Sequence, residues 1–119
     1  MFRHLWAPLV AALAISVAPA QAATHGTVLK ITTAPGASMK YMTTSLHAKA
    51  GVVTIVMKNA SILPHDVAIK GNGVTAKGKV VAKGAASTVT AKLKAGRYTF
   101  YCTVPGHEQA GMKGTLIVS

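Results

Sequence analysis

Short stretches in which apolar and polar residues alternate dominate most of this chain. The segments "TVLKITT" (27–33), "GVVTIVMKN" (51–59), "HDVAIKG" (65–71), "STVTAKL" (87–93), "GRYTFYC" (96–102) and "GTLIVS" (114–119) are rich in Val, Ile, Thr and Tyr. Those side chains fit a pleated, half-buried surface, so each segment predicts a strand. Turn residues separate them at Pro35-Gly36, Ala50-Gly51, Gly71-Asn72-Gly73 and Ala95-Gly96. The Gly- and Lys-rich stretch "GNGVTAKGKVVAKGAA" (71–86) predicts a loop holding one short edge strand. No sustained helical period runs through residues 23–119, and a parallel βαβ arrangement would have no crossover helices to draw on. The expected fold class is therefore all-β, a Greek-key sandwich or barrel, with no internal repeat and no domain linker.

The amino-terminal stretch breaks this pattern. "MFRHLWAPLVAALAISVAPAQA" places Arg3 before an apolar run from about Leu5 to Val17, followed by Ala20-Gln21-Ala22 as a small-residue cleavage motif. A retained membrane anchor is the competing reading, but the run is short of the roughly 20 residues that a helix needs to cross a bilayer. Residues 1–22 are thus expected to be a cleaved export signal, with cleavage after Ala23 nearly as good. Residues 23–119 are expected to form one soluble, exported (periplasmic or similar) and monomeric domain.

Export sharpens the meaning of the single cysteine. Small domains in oxidising compartments commonly pair their cysteines, and one thiol cannot do so within one chain. Cys102 is therefore an inert core residue, an intermolecular linker, a nucleophile or a metal ligand. Alternation puts Tyr98, Phe100 and Cys102 on one strand face, and His65, Val67 and Ile69 on another. Both the thiol and the imidazole then point inward at strand ends. The commoner fate of a lone inward histidine is a core imidazole bonded to backbone. His107 and Met112, on the loop that leaves Cys102, weaken that reading. Thiolate, two imidazoles and a thioether form a soft set, and a trigonal His₂Cys site with a weak Met describes blue copper. Zinc favours more thiolates and makes poor use of a thioether. Cysteine catalysis lacks an orienting partner for His107, and haem attachment lacks a second cysteine.

At these residues the chain resembles the cupredoxins, the small plastocyanin-, auracyanin- and azurin-like blue copper proteins. The resemblance rests on "NASILPHDVAIKG" (59–71) and on "YCTVPGHEQAGMKGTLIV" (101–118), with its C-x4-H-x4-M spacing, and it extends from about residue 27 to the end. It implies a type 1 copper ion held by His65, Cys102 and His107, with Met112 as the weak axial ligand. The family usually has Asn after the first histidine, where this chain has Asp66. That position implies a tie between the two ligand loops, with Thr103 as the expected partner and an added negative charge beside the metal. Pro105 lets the loop turn and withholds one N–H from the sulfur. The edge of His107, ringed by Leu63, Pro64, Pro105 and Gly106, is the expected electron port.

Charge bears on partners. With 13 Lys and Arg against 2 acidic residues the formal charge is +11, and removing Arg3 with the leader leaves +10. The basic residues are scattered, without the aromatic interleaving of a nucleic-acid surface, so no nucleic-acid partner is expected. Such a charge serves solubility, or it steers the protein toward an acidic redox partner or an anionic membrane surface. Two weaker copper signals are Met39, Met42 and His47 as a second Cu(I) site, and a free Ala23-Thr24-His25 terminus as a Cu(II) chelator. The expected function is one-electron transfer, not enzymatic catalysis. The rival reading is a copper-binding chaperone or resistance protein that hands copper on.

Overall fold

Apolar side chains that share one face of each strand leave water only when two sheets cover each other. The computed structural model, which describes residue 8 and residues 10–15 and 26–119, shows that arrangement. Eight strands form among these residues: β1 (Thr27–Thr32), β2 (Ser45–Ala48), β3 (Gly51–Lys58), β4 (Ala68–Gly71), β5 (Val74–Lys77), β6 (Ala86–Leu93), β7 (Gly96–Tyr101) and β8 (Lys113–Val118). One sheet has the order β1-β3-β6, the other β2-β8-β7-β4-β5. The all-β sandwich expected from the alternation is the observed fold. Residues 10–15 carry no regular structure and are exposed, and the remainder of the expected export signal, its cleavage site and Ala23-Thr24-His25 lie outside the described residues. No described helix is long and apolar enough to cross a membrane.

The core lies between the sheets. Ile31 of β1, Val53, Ile55 and Met57 of β3, and Val89 and Leu93 of β6 face Ile69, Tyr98, Phe100, Leu116 and Val118 of the other sheet, and all are buried. Tyr41 closes one end of this layer, its ring centroid 5.5 Å from that of Phe100. Two pairings are parallel, β1 with β3 and β2 with β8. Parallel neighbours need a long crossover, usually a helix. Here the crossover from β1 to β3 is β2 itself, a strand of the opposite sheet.

Three features depart from the strand pattern of the sequence. β2 was not expected, because "SLHA" is short and buries only Ala48; its partner β8 lies at the other end of the chain. The strand expected from His65 begins at Ala68 instead. His65 and Val81 exchange backbone hydrogen bonds of 3.2 and 2.9 Å, and the Gly78 N–H donates to the Val67 carbonyl at 2.9 Å, so residues 65–67 are held by the 78–81 segment rather than by the sheet. Tyr101, on the outward face of β7, is nonetheless buried, with Lys70 Nζ 4.3 Å from its ring centroid. The short edge strand expected within 71–86 is β5. It is joined to β4 by Asn72-Gly73, whose φ angles of 48° and 78° make the two-residue mirror-image turn that suits the twist of a hairpin.

The sheet beneath the metal-loop end is packed to its limit at Gly114. A Cβ there would come within 2.2 Å of the Phe100 ring and 2.7 Å of the Thr44 carbonyl oxygen. Overfilling of this kind costs about 1–3 kcal/mol. Gly114→Ala is therefore expected to destabilise the protein by that amount, read as a lower midpoint in thermal or urea unfolding; an unchanged midpoint would show that Phe100 repacks freely.

Candidate metal centre

Two segments converge at one end of the sandwich. The first follows β3 and is organised by Asn59, which is fully buried. Its amide NH₂ donates to the carbonyls of Leu63 and Val81, both at 2.9 Å, and its carbonyl oxygen accepts from Thr33 Oγ1 at 3.2 Å and from the Ser61 N–H at 3.0 Å. All four hydrogen-bonding positions of the side chain are thereby used. Thr33 Oγ1 also accepts from the Ala60 N–H, and Ser61 Oγ donates to the Gly36 carbonyl. This lattice fixes the path of residues 59–64 and sets His65 inward. At the far side of the ring, His65 Nε2 lies 3.0 Å from the Ser38 carbonyl. A carbonyl only accepts, so Nε2 carries the proton and Nδ1 of the neutral ring presents a lone pair.

The second segment runs from β7 to β8. The Cys102 N–H donates to the Met112 carbonyl at 3.1 Å, which closes the loop at its base. Within it, the His107 N–H donates to Val104 and the Met112 N–H to the His107 carbonyl, each at 3.0 Å. Pro105-Gly106 makes the reversal, with Gly106 at φ 85°, a left-handed value that glycine adopts without penalty. His107 and Met112 are thus placed by a backbone ladder rather than by side-chain packing alone.

Where the segments meet, the Nδ1 atoms of His65 and His107 are 3.0 Å apart. Cys102 Sγ lies 3.8 Å from the first and 3.6 Å from the second. The ligand atoms of His65, Cys102 and His107 all fall within 4.8 Å of one another. His65 and Cys102 are sealed from solvent, whereas His107 keeps 9% of its surface exposed. Met112 is also fully buried. Burial lowers the His65 pKa, assisted by His107 and opposed by the Ser38 bond and by Asp66. Burial raises that of the Cys102 thiol, while the backbone N–H groups of Asp66 and Val104 favour its thiolate. Burial likewise raises the pKa of Tyr41, whose hydroxyl donates to the Asp66 carbonyl at 2.7 Å.

Asp66 joins the segments. Its Oδ1 accepts from the Thr103 N–H at 2.6 Å, and its Oδ2 pairs with the Thr103 hydroxyl. Pro105 stands exposed on the rim with Pro64 and Gly106, beside half-buried Leu63 and exposed Ile62.

The chemistry of this cluster fits a soft cation. Two imidazole nitrogens and a sulfur converge on a common centre shut off from water, and the His65 Nε2 proton is committed elsewhere. Metal-bound histidines characteristically donate their remote N–H to a carbonyl in this way. A model of the family described as copper binding proteins, plastocyanin/azurin family, matches residues 28–119. The chain belongs to that family.

Its metal is copper, and the donor set here is that of a type 1 copper site. Solved blue-copper folds agree with the architecture. Dithionite-reduced auracyanin from Roseiflexus castenholzii is 24% identical, with a TM-score of 0.69 over 79% of this chain and 98% of that one. Auracyanin A, a blue copper protein from Chloroflexus aurantiacus, is 25% identical, with a TM-score of 0.67 over 80% of this chain and 100% of its own. The azurin Az-iso2 of Methylomonas sp. strain J, at 19% identity and a TM-score of 0.64, covers 80% of this chain and 99% of that one, and shares the fold. No curated protein sequence matches significantly.

The other candidate ligands of this cupredoxin are placed differently. Met39 and Met42 are 36% and 66% exposed and lie outside the strands, so they do not pack in the core as strand methionines would. His47, exposed on β2, pairs with Ile117, well along β8 from the metal loop. Sequence reasoning assigned no role to Asn59, Thr33, Ser38 or Tyr41. Asn59 stood in the quoted motif, directly after a strand and ahead of His65, and that was the one available signal. Thr33, Ser38 and Tyr41 come from a distant segment with none.

Asn59→Ala should strand the Leu63 carbonyl and the Thr33 hydroxyl proton, and leave the Val81 carbonyl and the Ser61 N–H with one partner each. Unsatisfied buried groups cost about 1–3 kcal/mol each, in part relieved by relaxation. A stability loss of about 2–3 kcal/mol in urea unfolding is expected, with weaker copper retention against a chelator. Loss of stability with unchanged retention would separate the Asn59 lattice from the placement of His65.

Proposed function

We propose that this chain is an exported one-electron carrier in which His65, Cys102 and His107 hold a single copper ion and Met112 is the weak axial ligand. The observation that carries this reading is the convergence of three buried donor atoms within 4.8 Å, fixed from two separate segments by backbone hydrogen bonds. Bound copper supplies a one-electron change between two oxidation states. The protein's part is to keep the donors nearly still through that change. The Ser38 carbonyl orients His65, the Met112–Cys102 and Met112–His107 backbone bonds lock the loop, and Asp66 ties Thr103 to the first segment. The Asp66 carboxylate places negative charge beside the site, which favours the more positive oxidised ion and lowers the reduction potential.

With His65 and Cys102 closed off, the edge of His107 is the point at which a partner comes nearest. Its surroundings, Ile62, Pro64, Pro105 and Gly106, are exposed and uncharged, and suit a brief apolar contact. Burial of the donors also argues against a chaperone that passes copper to another protein, because such transfer needs ligands that the recipient can reach. The same burial would keep a substrate from reaching a bound ion, in keeping with a carrier rather than an enzyme. The redox partner is an acidic protein: of the two acidic side chains, Asp66 is buried and Glu108 pairs with Lys70, so the exposed surface is almost wholly cationic.

Cys102→Ser should abolish the visible thiolate-to-copper absorption while far-UV circular dichroism keeps the β signature; an unchanged spectrum would overturn the ligand assignment. Met112→Leu should keep the colour and raise the potential, since the thioether tunes more than it binds.

Long-range attraction acts over about 8 Å at physiological salt. Electron transfer with an acidic partner should therefore slow markedly as salt rises, through slower encounter. Lys113→Glu, at the end of the metal loop, should slow it more than Lys49→Glu, which lies beyond the far end of the β2–β8 pairing. A flat salt response would remove steering from the account.

A further inference from the structure

The outer face of the three-stranded sheet is organised in a way that the redox chemistry does not use. Register places one lysine from each strand on it: Lys30 of β1, Lys58 at the end of β3, and Lys92 of β6 opposite Val52. All three are exposed. Toward the Lys92 end, Val28 and Val52, 57% and 43% exposed, stand on the same side of neighbouring strands. Thr54 and Thr90 join their hydroxyls across the ladder at 3.0 Å. No acidic group lies on this face. Asp66 is buried at the metal centre, and Glu108 is bound to Lys70 of the opposite sheet.

We propose that this face is an adsorption surface for an anionic lipid bilayer. Lysines are mobile point charges that suit a field of phosphate headgroups, whereas a specific protein contact draws on aromatic and arginine anchors, and this face has neither. The valines beside Lys30 and Lys92 can sink toward the acyl boundary while the ammonium groups stay with the headgroups. The metal-binding loops leave β3 and β7 at one end of the sandwich, so adsorption through the outer face of the three-stranded sheet leaves the His107 edge open. A carrier held this way would search for its partner in two dimensions. The inference does not depend on the ligand assignment and fails or stands separately from it.

The test is co-sedimentation of the purified protein with vesicles of phosphatidylcholine containing phosphatidylglycerol, and with vesicles of phosphatidylcholine alone. Binding is expected only to the anionic vesicles. The combined variant Lys30→Glu, Lys58→Glu, Lys92→Glu should weaken it by about a hundredfold, since each lysine near such a surface contributes roughly a factor of five. The variant Lys40→Glu, Lys49→Glu, Lys77→Glu carries the same charge change elsewhere and should weaken binding only severalfold. Val28→Ser with Val52→Ser should lower the part of the binding that survives high salt. If the first set unfolds, Lys→Gln at the same three positions makes the same comparison. Equal losses in the two lysine sets would overturn the proposal in favour of diffuse charge. So would soluble polyglutamate that binds the protein as tightly as the vesicles do and depends on the same three lysines, because the face would then be read as a site for acidic polypeptides.

Discussion

Two imidazole nitrogens 3.0 Å apart, with a sulfur less than 4 Å from each, form an arrangement that the side chains would not adopt unaided. At that separation the two nitrogens share a single proton as a hydrogen bond, and burial keeps water from coming between them. Holding this cluster together is the constraint from which the rest of the structure follows. It requires two chain segments to arrive from different directions and to be fixed before any metal binds. The sandwich supplies the directions, because its two sheets bring the end of β3 and the end of β7 to the same edge of the core.

Fixing is done almost entirely by backbone. Asn59 spends all of its hydrogen-bonding capacity on neighbouring main chain and on Thr33, and the 102–112 loop is braced by five of its own N–H groups. Among the described residues no buried side-chain nitrogen or oxygen lacks a partner. That completeness matters in a region this dry, where an unpaired polar group would cost more than most contacts return. Asp66 is the most exposed to that risk, being a buried acid, and both of its oxygens engage Thr103.

The same economy shapes the outside. With both acidic side chains engaged, the remaining charge is cationic, and the two sheets present it in different settings. On the five-stranded sheet it surrounds Tyr101 and the Lys70–Glu108 pair near the metal loop. On the three-stranded sheet it is spread one lysine per strand, with two exposed valines toward one end. Redox contact and surface adsorption can thereby occupy separate faces of one small domain.

The alternation of Val, Ile and Thr determined the all-β class and most strands, because a period of two reports directly which side chains leave water. The spacing of Cys102, His107 and Met112 marked a soft metal loop, since three ligand-type residues within one short turn-rich segment must lie near each other. His65 was expected to face inward from the same period and is buried, but the Asn59 lattice and the 78–81 segment place it there rather than a strand. What the sequence could not hold was the pairing of distant segments. β2 exists only because β8 lies beside it, and residues 65–67 leave the sheet because Gly78 and Val81 claim their backbone groups. The placement of Ser38 behind His65 and of Tyr41 beneath Asp66 likewise depends on a connection between sheets. Local propensity records how a residue treats water and its neighbours in the chain. Which main-chain groups satisfy one another across tens of residues is decided only when the two sheets close.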